Sequence, residues 1–193
     1  MFAVRIHGRG GQGAVTAAEM LSVAAFDEGR HAQAFPTFGS ERMGAPVVSF
    51  CRIDDRPIRL REPITEPDAL IVQDPTLLQQ VNLFDGLRPD GYLLVNTGHD
   101  LAELGIGDVV GALKAERVVA VPATDMAREH LGRPLPSAAL LGGFAALTGQ
   151  VGLEAVVHAI RARFPGQVGE GNAAAAEAAY AYVRNQIGRL ADA

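Results

Sequence analysis

The amino-acid sequence predicts an α/β fold: a three-layer domain with a mixed, mostly parallel sheet and a helical C-terminal third. Three observations support this prediction. Short apolar runs that are typical of buried strands alternate with helix-forming stretches. A glycine-rich turn joins the first predicted strand to the first predicted helix. The last third of the chain is composed of three stretches with helical composition.

The individual elements follow from hydrophobic patterning and from turn residues. A turn at Asp54-Asp55 would fold the strand at 45–53 back onto 58–60 as a hairpin, so we expect the sheet to be mixed. The other strands are predicted at 2–7, 31–35, 69–72, 92–95 and 118–121. Helices are predicted at 14–26, 76–81, 125–131, 138–148, 153–164 and from about 169 to 187.

Length and composition restrict the class of protein. A chain of 193 residues that is 48% hydrophobic is expected to fold as a single domain over 1–193, burying roughly 70% of its unfolded surface. The net charge of −5 is too small for disorder and argues against nucleic acid as the main partner. No apolar run approaches 18 residues and no signal-peptide pattern is visible, so we expect no membrane association and a cytoplasmic location.

The cysteine and histidine residues do not form a recognisable metal site. Cys51 is the only cysteine, which excludes a disulfide framework, a multi-cysteine zinc site and a self-contained iron–sulfur cluster. Its apolar neighbours predict a buried, unreactive thiol. His7 at the end of a strand either points into the cleft or is structural, and the structural role is favoured. The five histidines have no metal-like spacing, and no serine lies in a nucleophile elbow, so no catalytic or metal-binding residue is predicted.

The strongest local motif is the glycine loop Gly8-Arg9-Gly10-Gly11-Gln12-Gly13, which satisfies G-x-G-x-x-G between a strand and a helix. Such a loop lets backbone N–H groups approach an anion at a helix N-terminus, and Arg9 could add a bidentate contact to a phosphate. The motif makes the predicted fold Rossmann-like.

Three interpretations of the glycine loop remain open: a phosphate or cofactor contact, a turn that only packs the helix on the sheet, and a dinucleotide site. The third lacks a required part. A dinucleotide site needs an acidic residue about 20 residues further on, at the end of the second strand, to bind the ribose. Here that strand, 31–35, contains no acidic residue.

A second motif follows the strand at 31–35, in the segment Phe35–Pro46. Ligands of doubly wound sheets bind at the carboxyl ends of strands, so this loop is expected beside the glycine loop. Thr37, Ser40 and Arg42 are hydrogen-bonding groups suited to phosphates, and Glu41 lies between them. Alternatively, Glu41 and Arg42 form an ordinary loop pair.

The two motifs together carry a resemblance. GRGGQG followed by FGSERMGAPV resembles the gamma subunit, or gamma domain, of the 2-oxoacid:acceptor oxidoreductases, the pyruvate:ferredoxin oxidoreductase family. The similarity extends through Gln73–Leu78, Leu140–Gly149 and the helix with Asn172 and Tyr180. The chain departs from the family pattern at Ser40, where proline is frequent, and near Ser137, where asparagine is frequent.

The resemblance implies a role inside a larger enzyme. Members of this family oxidatively decarboxylate a 2-oxoacid to an acyl-CoA, with pyruvate as the default substrate and aromatic oxoacids such as phenylglyoxylate as alternatives. Thiamine diphosphate and Mg²⁺ are held by alpha and beta subunits, and a ferredoxin-like iron–sulfur subunit passes electrons to ferredoxin or an NAD-linked acceptor. The gamma domain packs on the catalytic subunits and helps to complete the CoA-facing entrance.

The resemblance also implies that this chain alone is inactive and binds none of these cofactors. The glycine loop, with Thr37, Ser40, Glu41 and Arg42, would face the CoA. The alternative function is a free-standing Rossmann-type nucleotide-binding domain. The roles of two other features stay open. The arginine-rich stretch could be a solvated hairpin face, a subunit contact or a contact to the CoA phosphates; its members are Arg52, Arg56, Arg59 and Arg61. The helix segment 173–182 either docks on a partner or packs within the chain.

Overall fold

The computed structural model describes residues 1–37 and 43–191. Its centre is a six-stranded sheet in the order β2-β3-β1-β4-β5-β6. The strands are β1 (Phe2–Arg9), β2 (His31–Pro36), β3 (Pro46–Asp54), β4 (Ala69–Val72), β5 (Tyr92–Asn96) and β6 (Val118–Val121). The α-helices are α1 (Ala14–Asp27), α2 (Gly107–Ala112), α3 (Ala123–Leu131), α4 (Ser137–Thr148), α5 (Leu153–Arg163) and α6 (Gly166–Ala191), and short 3₁₀ helices lie at Pro75–Gln79, Leu101–Leu104 and Ala115–Arg117.

The mixed character of the sheet is confirmed, but its predicted cause is wrong. Strand β3 runs antiparallel to both β1 and β2, whereas β4, β5 and β6 follow one another in parallel from β1. Residues 58–60 are not a strand. Because β3 is already paired along both of its edges, the segment after Asp54 has no edge to pair with, and no hairpin forms there.

Helices α1, α4 and α6 pack on one face of the sheet, and α5 packs against these three helices. Alternate residues of β1, including Val4 and Ile6, point into this core, where they meet Leu21 of α1 and Phe144 of α4. Helix α4 is buried from Ser137 to Leu147, because it lies between the sheet and α6. The helical C-terminal third is therefore confirmed, and four alanines of α6 pack within the chain: Ala173, Ala175, Ala176 and Ala179.

The opposite face of the sheet is covered by shorter elements. Leu70 and Val72 of β4 pack with Leu77, Leu83 and Ile106, which come from the 3₁₀ helices, α2 and their connections. The three-layer architecture is confirmed, although this second layer is thin. In place of the helix predicted at 76–81, the structure has the 3₁₀ helix Pro75–Gln79. Short helical segments of this kind often adopt 3₁₀ geometry. None of the described helices is both long and apolar enough to cross a membrane.

Five of the six strands have their carboxyl ends on the same side of the sheet, which we call the carboxyl edge. Strands β1, β2, β4, β5 and β6 share one direction, because β2 and β1 are both antiparallel to β3. Their carboxyl ends carry the glycine loop after β1, Thr37 after β2 and Asp74 after β4. This carboxyl edge is where α/β sheets bind ligands, so it positions the candidate site.

Candidate functional site at the carboxyl edge of the sheet

The glycine loop begins while β1 is still paired with its neighbour. Gly8 and Arg9 remain opposite Val47 and Pro46 of β3. The N–H of Gly10 then donates to the Ala45 carbonyl at 2.9 Å, and the Gly10 carbonyl accepts from the N–H of Gly44 at 3.0 Å. The structure thus brings the described part of the second motif directly against the glycine loop.

Glycine is required in this loop for conformation and for space. Gly11 and Gly13 have φ values of 92° and 81°, which side chains rarely adopt. A Cβ on Gly13 would also lie 2.6 Å from Ser137 Oγ, and a Cβ on Gly8 would lie 2.5 Å from Gln73 Oε1. The loop is therefore closed tightly onto the start of α4 and the end of β4.

Two backbone N–H groups close to the start of α1 have no acceptor among the described residues. Gly13 precedes the helix without a side-chain cap, and no acceptor in 1–37 or 43–191 receives the N–H of Gly11 or Gly13. A cleft of about 320 Å³ opens beside them, lined by the loop, by the first turn of α1 and by Val47. Orphan amides and the positive end of a helix dipole form an arrangement that can bind an anion.

The side chains of Arg9 and Gln12 face into the protein. Arg9 Nε donates to Asp74 Oδ2 at 3.1 Å, and its two terminal nitrogens donate to the Gly44 carbonyl, Thr76 Oγ1 and Gln80 Oε1 at 2.7 to 3.0 Å. Gln12 Nε2 donates to Asp74 Oδ2 at 2.7 Å, while Gln12 Oε1 accepts from the Arg9 N–H at 2.8 Å. Most donors expected for a phosphate are therefore directed to the chain itself.

Asp74 is the acceptor on which these donors converge. Burial alone would raise the pKa of its carboxyl group. Hydrogen bonds from Thr76 and Gln12 and the positive charge of Arg9 outweigh burial and hold that pKa below its usual range. The Asp74 side chain is therefore a carboxylate throughout the neutral range.

The other predicted site residues divide into two groups. Thr37 lies at the same carboxyl edge beyond β3, where its hydroxyl donates to the Val48 carbonyl at 3.0 Å. Ser40, Glu41 and Arg42 lie outside the described residues. Their predicted role as ligand contacts stays a prediction.

A second cleft of about 330 Å³ lies on the other side of the glycine loop, between the loop and the C-terminal helices. Its lining is mostly apolar, with Arg133, Ser137 and Asn172 as polar members. Three large apolar side chains near the loop are exposed: Met43 at 87%, Val168 at 44% and Leu135 at 36%. Exposed apolar side chains thus border part of the glycine loop.

Sequence reasoning missed three residues that shape this site. Asp74 and Thr76 bind the loop side chains, and Ser137 Oγ donates to the Gln12 carbonyl at 2.8 Å. The Asp-Pro-Thr sequence carried a usable signal, since aspartate before proline is typical of a helix start. Nothing in the sequence alone indicates that this turn contacts a loop more than 60 residues earlier.

Two of the remaining candidates, Cys51 and Arg52, are buried and structural. Cys51 is fully buried, and burial raises the pKa of its thiol to about 12, which confirms the prediction of an unreactive thiol. The solvated-face interpretation is wrong for Arg52, which is buried, lies over the Phe35 ring and donates to the Glu62 carbonyl at 2.5 Å. Within the described ranges, no three His, Cys, Asp or Glu side chains are grouped to hold a metal ion.

Strand order also disfavours the dinucleotide interpretation. In a dinucleotide-binding sheet the second strand lies beside the first and presents the ribose-binding acid. Here β3 lies between β1 and β2, so the end of β2 is displaced from the glycine loop by one strand. The strand order and the missing acidic residue therefore both argue against a dinucleotide site.

Fold and site together define a class: a Rossmann-like α/β domain with a glycine loop at the carboxyl edge of a mixed sheet. A family profile described as pyruvate ferredoxin/flavodoxin oxidoreductase matches residues 3–182. The chain is 49% identical to pyruvate synthase subunit PorC of Methanocaldococcus jannaschii, with 93% of this chain and 96% of the relative covered. It is 50% identical, with the same coverage, to the pyruvate/ketoisovalerate oxidoreductases common subunit gamma of Thermococcus kodakarensis.

The structural comparison agrees. The crystal structure of pyruvate oxidoreductase subunit PORC from Thermotoga maritima superposes with a TM-score of 0.77 at 36% identity, covering 93% of this chain and 95% of that one. The chain belongs to the pyruvate ferredoxin/flavodoxin oxidoreductase family, as an oxidoreductase subunit of the gamma type. The resemblance found in the sequence is confirmed.

Proposed function

We propose that this chain is the gamma subunit of a 2-oxoacid:ferredoxin oxidoreductase that oxidises pyruvate, and that its glycine loop forms part of the entrance for CoA. Relatives of similar length, 49% and 50% identical, are named as subunits of pyruvate and pyruvate/ketoisovalerate oxidoreductases, which supports the reaction. One observation supports the CoA role above all: Gly11 and Gly13, whose N–H groups have no acceptor among the described residues, line a cleft at the N-terminus of α1. The phosphates of CoA are anions of the kind that such amides bind.

The oxidation itself belongs to other subunits. A four-iron or two-iron cluster needs several cysteine ligands, whereas the lone Cys51 is buried with a raised pKa. The described residues do not provide the carboxylate-rich group that a Mg²⁺–diphosphate would need. Thiamine diphosphate, Mg²⁺ and the clusters are therefore assigned to alpha, beta and ferredoxin-like subunits, and this chain alone is inactive.

The choice of 2-oxoacid is also assigned to the other subunits. One relative is named as a gamma subunit common to pyruvate and ketoisovalerate oxidoreductases, which supports a chain that does not select the substrate. Pyruvate is proposed from the names of the relatives, and an aromatic oxoacid such as phenylglyoxylate remains an alternative. A cytoplasmic location remains a prediction.

The apolar surface around the loop supports docking at this edge. Met43, Leu135 and Val168 are exposed beside Gly11, and a subunit that buries them would exclude water from the neighbouring amides. Burial of such side chains is the main driving force in protein association. The proposed arrangement therefore places the glycine loop at a subunit boundary, where a ligand shared between subunits would bind.

The test is a matched pair of glycine substitutions in the reconstituted complex. Gly11→Ala adds a methyl group at a positive φ, close to Met43 and within the cleft. Gly29→Ala imposes the same kind of backbone strain at the other end of α1, where no atom lies within 4 Å of the added Cβ. We expect Gly11→Ala to raise the KM for CoA by about tenfold, equivalent to about 1.4 kcal/mol, and Gly29→Ala to leave it unchanged.

Steady-state kinetics at varied CoA, with assembly checked by size-exclusion chromatography, provide the measurement. Equal KM values for CoA in the two assembled variants would show that the loop does not face CoA.

A further inference from the structure

The carboxylate of Asp74 has an unusually complete set of partners. Its Oδ1 accepts from the N–H and hydroxyl of Thr76 at 3.0 and 2.6 Å. Its Oδ2 accepts from Gln12 Nε2 at 2.7 Å and from Arg9 Nε at 3.1 Å. A carboxylate offers about four lone-pair sites, so all of them are filled by the chain itself. Asp74 therefore has no acceptor capacity left for a ligand.

The partners of Asp74 belong to segments that are distant in the sequence. Arg9 and Gln12 are in the glycine loop, whereas Thr76 is in the 3₁₀ helix after β4. Parallel pairing of β1 with β4 brings the two strand ends together. Gln12 also bridges the loop internally, because its Oε1 accepts from the N–H of Arg9 while its Nε2 binds Asp74. The carboxylate thus connects the loop to the sheet through side chains on both sides of Gly10 and Gly11.

We propose that Asp74 is a positioning residue, which holds the glycine loop in the conformation that presents the N–H groups of Gly11 and Gly13 to the cleft. The consequence for CoA binding rests on the proposed function, whereas the restriction of the loop conformation by Asp74 does not. Two glycines with positive φ make the loop intrinsically free to adopt other conformations. Hydrogen bonds to a charged acceptor are stronger than neutral ones, so they can select one conformation.

A second aspartate in the chain separates this role from ordinary capping. Asp100 accepts from the N–H of Ala102 at 3.0 Å and begins the 3₁₀ helix Leu101–Leu104, as Asp74 begins its own 3₁₀ helix through Thr76. Both residues cap a short helix, but only Asp74 also binds the glycine loop. Asp100→Asn is therefore a matched control for Asp74→Asn.

The substitution Asp74→Asn removes the charge and replaces one acceptor oxygen with a donor. An asparagine that still caps Thr76 would turn its NH₂ toward Gln12 Nε2 and Arg9 Nε, which are also donors. The hold on the loop is then lost while the size of the side chain is kept. Gln12→Met is a second variant, which breaks the same connection from the loop side.

Hydrogen exchange in the assembled complex tests the hold on the loop. The N–H groups of Arg9 and Gln12 are hydrogen bonded within the loop, and the N–H of Gly10 donates to the Ala45 carbonyl, so exchange of these groups reports the opening of the loop. We expect exchange in peptides covering 9–12 to be at least about tenfold faster in Asp74→Asn and Gln12→Met, and unchanged in Asp100→Asn. Unchanged exchange in both loop variants would overturn the proposal.

Kinetics of the same complexes then separate the two proposals. If the loop also faces CoA, Asp74→Asn raises the KM for CoA by about tenfold and leaves the KM for the 2-oxoacid within about twofold. Faster exchange with an unchanged KM for CoA would support the positioning role and reject the CoA role. A general loss of stability would instead affect both KM values or the assembly, and would count against a positioning role.

Discussion

At the scale of single residues, His7 shows how one strand position can be buried beside charged neighbours. Its side chain lies on the thin-layer face of β1, between Arg5 and Arg9, and only 7% of the residue is exposed. Burial first, and the positive charge of Arg5 second, lower the pKa of His7 to about 4. The imidazole is therefore neutral at neutral pH, and its Nε2 has no partner in the described part of the chain.

This environment predicts a pH-dependent stability. The pKa of His7 is about 4 in the folded state and near 6.5 in the unfolded state, so the unfolded chain binds more protons between these values. The contribution of the neutral His7 to the free energy of unfolding is therefore fully present above pH 6.5. This contribution is lost as the pH drops toward 4, by up to about 3 kcal/mol. Denaturant unfolding of the chain at several pH values measures the effect.

The matched variants are His7→Leu and His130→Gln. We expect His7→Leu to flatten the pH dependence between pH 6.5 and 4, because the titrating group is gone. The exposed His130→Gln should retain the slope of the unsubstituted chain. A slope that survives in His7→Leu would show that other groups cause it.

Arg9 illustrates what the sequence could and could not predict at this scale. The G-x-G-x-x-G spacing predicts the loop and its place before a helix, because those depend on neighbouring residues. The direction of the Arg9 side chain depends on Asp74, which lies 65 residues away and reaches Arg9 only through the pairing of β1 with β4. Such a contact has no local sequence signal.

At the scale of elements, the contact between α4 and α6 holds the helical layer together. A Cβ on Gly142 would overlap the backbone carbonyl of Ala176, so the two helices touch at a point where only glycine fits. The adjacent Gly143 is different, because an added Cβ would meet side-chain carbons at 3.4 Å or more. Two neighbouring glycines in one helix therefore have opposite tolerance to substitution.

We expect Gly142→Ala to destabilise the chain by about 3 kcal/mol, because the backbone of α6 must move away. Gly143→Ala should stay within about 1 kcal/mol of the unsubstituted chain, since alanine gains helix propensity over glycine. Free energies of unfolding from urea titrations compare the two. Similar free energies of unfolding for both variants would show that the close approach of α4 and α6 at Gly142 does not limit which residue is tolerated there.

Elements defined by local patterns were predicted well from the sequence. The apolar runs at 69–72 and 118–121 are strands with the predicted bounds, because buried parallel strands are short and continuous in apolar residues. The hairpin to 58–60 failed because strand pairing is non-local: β2 and β1 occupy both edges of β3. Packing of α6 on α4 likewise depends on tertiary contacts, so composition left partner docking and self-packing open.

At the scale of the whole molecule, the chain has its own hydrophobic core but is only one subunit of an enzyme. The sheet and its two layers form an extensive hydrophobic core that contains Cys51 as a structural residue. The features suited to ligand binding lie at one carboxyl edge, bordered by exposed apolar side chains. A domain that has its own hydrophobic core and yet presents such an edge is expected to act within an assembly.

Co-purification of the tagged chain from the cells that express it, with mass spectrometry of the partners, tests this account most directly. We predict recovery with thiamine-diphosphate-binding alpha and beta subunits and a cysteine-rich iron–sulfur subunit, with pyruvate- and CoA-dependent reduction of ferredoxin by the assembly and none by the chain alone. Recovery of the chain without such partners, under conditions in which the family's other subunits are expressed, would contradict the account.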